Sequence, residues 1–252
     1  MMQTVNVPPR RIALITDFGG GPYVGQMELR LSEQAPGAPV IRLISDLPPW
    51  RPDLAAYLLP GLRRGMPVHT LYVCVVDPGV GSDRAVLAVR SNGDWLLAPD
   101  NGLLVPLLQR DPDAEVWRIH WRPQHLSASF HGRDLFAPLA ARLYAGELPQ
   151  PEPCDIGALV GADWPEQRQA ICHVDDFGNL ITGIEADSLP DQARLIASGR
   201  RLAAARTFSD VASGEAFWYR NAFELVEIAV NQGRADAVLG LAAGDQVAVE
   251  SV

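Results

Sequence analysis

Asp77 and Arg84 bracket a glycine-rich stretch, Asp77-Pro78-Gly79-Val80-Gly81-Ser82-Asp83-Arg84. Such a loop can fold back so that the guanidinium meets the carboxylate and keeps it ionised. A turn with a surface ion pair accounts for the same residues. His131 stands in Ser129-Phe130-His131-Gly132-Arg133-Asp134, just before an expected helix. Free amides at a helix start can hold an anion or a polarised water. Of the five histidines, only His131 has such a setting, so it is the best catalytic candidate. Asp17 follows the apolar run Arg11–Thr16 and precedes a Gly-Gly-Gly-Pro turn. A carboxylate at the carboxyl end of a first strand sits where α/β sheets bind ligands. It can accept both hydroxyls of a ribose, or simply cap the next helix. Asp175-Asp176-Phe177-Gly178-Asn179 sets an aromatic face and an amide among carboxylates. That set suits stacking on a base, and equally a solvated β-turn.

Composition limits the chemistry. The chain has 252 residues, 48% of them hydrophobic, enough for one large core or two modest ones. It contains no lysine: all 21 basic residues are arginine. Schiff-base chemistry and a GxxxxGK[ST] phosphate loop are therefore absent. A net charge of −9 argues against nucleic-acid binding by a broad basic surface. Cys74, Cys154 and Cys172 are widely spaced, show no zinc-ligand pattern and read as reduced thiols. The first eleven residues do not resemble a signal peptide, and no apolar stretch is long enough to span a bilayer. A cytoplasmic protein is expected.

These residues need elements to position them. Short apolar runs at 11–16, 40–44 and 68–76 alternate with helical patterns at 23–34, 52–64 and 135–144. This predicts a parallel sheet covered on both faces. Residues 85–89 and 95–98 predict a hairpin around Asn92-Gly93. The proline-rich 149–153 reads as a linker between an α/β domain at 1–148 and a β-rich domain at 154–252. Strands are expected there at 171–174, 180–184, 225–230 and 246–252.

Several segments together resemble the S-adenosylmethionine hydroxide adenosyltransferases, which are adenosine-forming hydrolases related to the fluorinase and chlorinase. They are TDFG (16–19) with YVGQM (23–27), VVDPGVGSDR (75–84), APDNGLL (98–104), SFHGRDLFAPLAA (129–141), DDFGNLIT (175–182), and NAFELVEIAVNQGRA (221–235) with GDQV (244–247). They occur in the family's order and cover nearly the whole chain. The resemblance implies a Rossmann-like N-terminal α/β domain and a smaller β-barrel-like C-terminal domain. It also implies a homotrimer with its active site between the N-terminal domain of one subunit and the C-terminal domain of the next. The implied reaction is water plus S-adenosyl-L-methionine giving adenosine plus L-methionine, without cofactor or metal.

The family's Asp–Arg–His triad falls on Asp77, Arg84 and His131. Asp17 is implied to grip the ribose diol, Trp50 and Phe177 to line the pocket, and Asn179 to contact adenine. Gly132, through its amide, and Asp175, Asn221 and Ala222 complete the implied binding set. The halogenases carry a tyrosine in place of Asp77, so this chain favours water over halide. A non-catalytic nucleoside sensor on the same fold, a halide-using adenosyl transferase and an unrelated metal hydrolase are the alternatives. The match departs where the methionine tail binds: Glu28-Leu29 replaces Lys-Gly, and Asn221-Ala222-Phe223-Glu224 replaces Asn-Ser-Phe-Gly. Glu224 is a candidate partner for the ammonium.

Overall fold

The structure, a computed structural model, describes residues 2–190 and 192–250. They fall into two compact units, 1–52 with 66–164 and 53–65 with 165–252.

The strands of the first unit are β1 (Met2–Thr4), β2 (Arg11–Thr16), β3 (Val40–Ile44), β4 (Thr70–Val75), β5 (Val86–Ser91), β6 (Asp94–Pro99), β7 (Glu115–Ile119), β8 (Glu147–Pro149) and β9 (Pro151–Pro153). Seven of them form one sheet in the order β3-β2-β4-β6-β5-β7-β9. β3, β2, β4 and β6 run parallel; β5, β7 and β9 add by antiparallel pairing. The sheet is therefore mixed, not wholly parallel as expected. The reversal comes from the expected hairpin: Asn92 (φ 50°) and Gly93 (φ 83°) close a two-residue turn between β5 and β6. Such turns need positive φ at both centres, and Asn-Gly supplies it at least cost.

β4 is buried along its whole length, as a continuous apolar strand should be. Ile12, Leu14, Leu71, Val73 and Val75 share one face of the sheet by period two. Val24, Met27 and Leu31 of the helix Pro22–Gln34 pack there, with Leu139 and Leu143 of the helix Ala137–Tyr144.

Residues 149–153 are not a linker. β8 pairs with β1, and β9 forms an edge of the large sheet against β7. Proline is tolerated at an edge, where its missing N–H breaks no inner ladder. The first unit instead continues to Trp164. The expected helix 52–64 is two short helices, Pro52–Ala55 and Leu59–Arg63, the second with Pro60 in its first turn. Segment 53–65 belongs with the second unit, not the first. A Cβ on Gly61 would lie 2.8 Å from Phe223 of that unit, so only glycine allows the approach.

The second unit contains a four-stranded sheet, β10 (Arg168–Val174), β11 (Leu180–Glu185), β15 (Leu225–Val230) and β14 (Ala216–Arg220), all antiparallel. A three-stranded sheet joins β13 (Arg200–Leu202), β12 (Arg194–Ala197) and β16 (Ala248–Glu250). The four-stranded sheet packs Leu180, Trp218, Val226 and Ile228 into this unit's core. The expected last strand, 246–252, is seen only as β16; residues 251 and 252 lie outside those described.

Gly102 offers a test of packing in the first unit. Its φ is 91°, and a Cβ there would lie 2.4 Å from the Trp164 ring. Gly102→Ala is expected to cost about 2–3 kcal/mol through strain and overlap. Thermal unfolding should show a Tm lower by several degrees; an unchanged Tm would mean that the indole yields freely.

Candidate active site

The parallel register aligns Thr16 with Val75. The chain therefore leaves β2 and β4 at the same carboxyl edge, and Asp17 and Asp77 emerge there as neighbours. Burial raises the Asp17 pKa, and the negative charge of Asp77 adds to it. The Trp50 amide donates to Asp17 Oδ2 at 3.0 Å. Trp50 has φ 60° and is 75% exposed, so its indole stands on the outside of this unit beside Asp17.

The loop after Asp77 folds back as its glycines suggest. The Val80 and Ser82 amides donate to the carbonyls of Asp77 and Gly79. A Cβ on Gly81 would lie 2.5 Å from the Ala128 carbonyl oxygen, at φ 85°, so no other residue fits. Arg84 returns to grip Asp77: Nε donates to Oδ1 at 2.6 Å and Oδ2 at 2.7 Å, and Nη2 also donates to Oδ2. Both side chains are nearly fully buried, at 8% and 4% exposed. The guanidinium also lies 5.6 Å from the Phe136 ring centre, a cation–π placement.

Arg84 Nη2 then reaches His131 Nδ1 at 3.0 Å. Arginine only donates, so Nδ1 accepts. The imidazole is thus neutral and carries its proton on Nε2. Burial lowers its pKa first; Arg84 and Arg122 push the same way, against Asp77 and Asp134. His131 precedes a π-helical turn, Gly132–Phe136, that runs into the helix Ala137–Tyr144. The helix therefore begins one turn earlier than expected, and Gly132 lies inside its first turn, where amides lack intrahelical acceptors. A Cβ on Gly132 would press at 3.1 Å on Phe18 and Met27.

Arg84 and His131 line a cavity of about 350 Å³ with Ser82, Ser127, Leu126 and Arg122. Arg122 carries no sequence signal. It is held by the carbonyls of Ile119 and Trp121, both at 2.8 Å. Burial and Arg84 lower its pKa. A larger cavity of about 770 Å³, beside Trp121 and Arg142, shares Arg122 with the smaller one but holds none of the candidate site residues named from the sequence. Among the described residues no group of three or more His, Cys, Asp or Glu could hold a metal ion. No helix among them is long and apolar enough to cross a membrane.

In the second unit, Asp175, Phe177 and Asn179 share the turn between β10 and β11. Asp175 Oδ1 accepts from the Asn179 amide at 2.8 Å, and Oδ2 from Asn179 Nδ2 at 3.1 Å. Gly178 takes φ 81°, with Asp236 and Arg234 under 3 Å from any Cβ. Phe177 tops the turn, 77% exposed. Asn221 and Ala222 lie in the turn between β14 and β15. Asn221 Oδ1 accepts from the amides of Phe223 (2.9 Å) and Leu225 (3.0 Å), and Nδ2 donates to Glu227 Oε2 at 2.9 Å. The Asn221 side chain is thus consumed in closing its own turn. Glu224 (φ 63°) is held by Arg64 and, at 2.9 Å, by Arg220. Both partners are from its own unit, so it does not stand ready for an ammonium.

Glu227 was silent in the sequence, inside the strand pattern of β15. It is buried and receives the Tyr219 hydroxyl at 2.5 Å. Burial raises the pKa of both groups.

Two family models match the chain: the SAM hydroxide adenosyltransferase N-terminal domain over residues 12–152 and its C-terminal domain over 169–248. A Thermus thermophilus protein named (R)-S-adenosyl-L-methionine hydrolase is 36% identical over 256 residues, covering 93% of this chain and 97% of its own. A Salinispora arenicola protein of the same name is 35% identical, covering 94% and 97%. Among solved structures, an uncharacterized conserved protein from Thermotoga maritima superposes with TM-score 0.82 at 30% identity, over 95% of this chain and all of its own. The chain belongs to the SAM hydroxide adenosyltransferase family.

Proposed function

We propose that this protein hydrolyses S-adenosyl-L-methionine to adenosine and L-methionine, with Asp77, Arg84 and His131 handling the water. The observation that carries the reading is the buried Asp77–Arg84–His131 chain beside Asp17 at one sheet edge. Relatives named for this reaction match nearly the full chain. On this reading the first unit is the Rossmann-like domain and the second the barrel-like domain. The protein is a cytoplasmic homotrimer whose site joins the first unit of one subunit to the second unit of its neighbour. It uses no cofactor.

The sulfonium is already a good leaving group, so no acid is needed for departure. The water oxygen bonds to ribose C5′ as the C5′–S bond breaks, and its electron pair returns to sulfur as the thioether of methionine. The resulting 5′-oxonium is strongly acidic and gives its proton to a nearby acceptor. Asp77, kept ionised by Arg84, accepts from one water hydrogen. Neutral His131 donates Nε2–H to the water oxygen and fixes its direction. Holding water in line is worth up to about 7–11 kcal/mol of barrier. Asp17 holds the ribose diol, Gly132 adds an amide near the nucleophile, and Trp50 and Phe177 supply aromatic walls that also favour a cation. Asp175 and Asn179 serve the adenine end, with Asn221 and Ala222 contributing through the backbone of their turn.

Purified protein incubated with S-adenosyl-L-methionine should give adenosine and methionine by chromatography. Asp77→Ala should lower kcat by about 10²–10⁴-fold, the range of positioned acid–base groups. Binding without turnover would point to a sensor, and a 5′-halo-5′-deoxyadenosine product to halide transfer. The pH dependence follows from His131. Its pKa lies below the ordinary 6.5, so the imidazole is more than half neutral at pH 6.5 and charges on further acidification. A charged ring can no longer accept from Arg84. Activity should fall on acidification with a limb centred below pH 6.5; an acid limb centred above 6.5 would contradict this arrangement.

A further inference from the structure

Three elements of the first unit meet around its larger cavity. The helix Pro22–Gln34 brings Arg30, the helix Ala137–Tyr144 brings Arg142, and the loop after β7 brings Trp121 and Arg122. The volume, about 770 Å³, is that of a small-molecule pocket. Three arginines line it, in a chain whose net charge is −9. His125 lines it too. The two carboxylates in its wall, Asp134 and Glu147, are already matched. Arg133, outside the wall, donates to the two Asp134 oxygens at 2.6 and 2.8 Å. Arg142 donates to Glu147 at 2.8 Å.

Arg122 is the cation without a counter-charge. Its Nη1 donates to two backbone carbonyls, and among the described residues no carboxylate pairs with it. Nε and Nη2 are left for a ligand. Burial and the charge of Arg84 both disfavour its cation, so an anion beside it relieves a like-charge contact. Arg30 and Arg142 are tied to Glu33 and Glu147 in solvent-exposed pairs. Such pairs hold weakly, so either guanidinium can exchange its carboxylate for a phosphate, which it meets with two parallel donors. The Arg142 guanidinium lies 4.9 Å from the Trp121 ring centre, and that stacking keeps it at the cavity wall.

We propose that this cavity binds a phosphate-bearing anion and that Arg122 carries its occupancy to His131. Arg122 lines both this cavity and the one of about 350 Å³ that holds Arg84 and His131. Besides burial, four charged groups act on the His131 ring: Arg84 and Arg122 oppose its charging, Asp77 and Asp134 favour it. A bound anion cancels the share of Arg122, so His131 takes up a proton at higher pH than in the free protein. A protonated Nδ1 cannot accept from Arg84. The occupied protein therefore loses the Arg84–His131 contact at a mildly acid pH where the free protein keeps it.

The probe is inorganic pyrophosphate, titrated by calorimetry into the full-length protein in phosphate-free buffer. Wild type should bind it, and Arg122→Gln and Arg142→Gln should each weaken binding by about tenfold or more, the scale of a lost charged hydrogen bond. Arg142 lines the larger cavity alone. Weakening by Arg122→Gln with Arg142→Gln unchanged would put the anion in the smaller cavity and overturn the proposal, as would no binding at all. An NMR titration of the His131 imidazole reads the coupling. Saturating pyrophosphate should raise its midpoint by about 0.5 pH unit, the size of one screened charge. In Arg122→Gln the midpoint should start higher and no longer move. A wild-type midpoint that stays put while the anion binds overturns the coupling. Neither readout uses S-adenosyl-L-methionine, so failure of the proposed reaction and failure of this site are told apart.

Discussion

The Arg84 guanidinium is the constraint on which the first unit's site depends. It has donors on several edges and no acceptor, so every group it touches must accept. It thereby settles two protonation states at once: Asp77 as carboxylate, and His131 as the neutral tautomer with its proton on Nε2. A buried ion pair is costly unless its hydrogen bonds are complete. Here the cost is offset by several donations to Asp77, one to His131 and the face of Phe136. The loop glycines and the π turn serve that geometry. Gly81 lets the loop pass the Ala128 carbonyl, and the π turn starts the helix early enough to bring His131 to Arg84.

The second unit solves a related problem with the opposite charge. There a carboxyl group, Glu227, collects the Tyr219 hydroxyl and fixes the Asn221 amide. Both centres are buried charges whose neighbours are all of one hydrogen-bonding type. Such centres reduce the number of side-chain arrangements that satisfy every group.

The sequence made the ends of the strands legible because ligand-facing residues at sheet edges sit in turn-rich segments. Asp17, Asp77, Arg84 and His131 all stood out for that reason; the parallel register brings Asp17 and Asp77 to one edge, and Arg84 folds back to join Asp77 to His131. Asn92-Gly93 was readable because few dipeptides accept two positive φ angles. The proline-rich segment misled, since proline marks a linker and a sheet edge equally well. Segment 53–65 could not be assigned to the second unit, because membership depends on long-range contacts such as that of Gly61 with Phe223. Glu227, Tyr219 and Arg122 were invisible because alternation inside a strand, or a lone arginine in a loop, gives no local sign of what lies across from it.

An inventory with arginine as its only lasting cation matches the chemistry proposed. A sulfonium departs with its own electrons, so no ammonium acid is needed at the leaving group. What the reaction needs is a carboxylate that stays ionised beside a cationic substrate, and a water held in one direction. A lysine beside Asp77 would be a single rotating point charge whose proton can leave on burial. Arginine, planar and always charged, grips the carboxylate while its other edge fixes the imidazole. The lowered basicity of His131 follows first from burial and then from the same contact, and it keeps Nδ1 an acceptor for Arg84 where a free histidine would begin to charge. The site gives up a stronger base and gains a fixed one, which suits a step whose bond-making precedes loss of the proton.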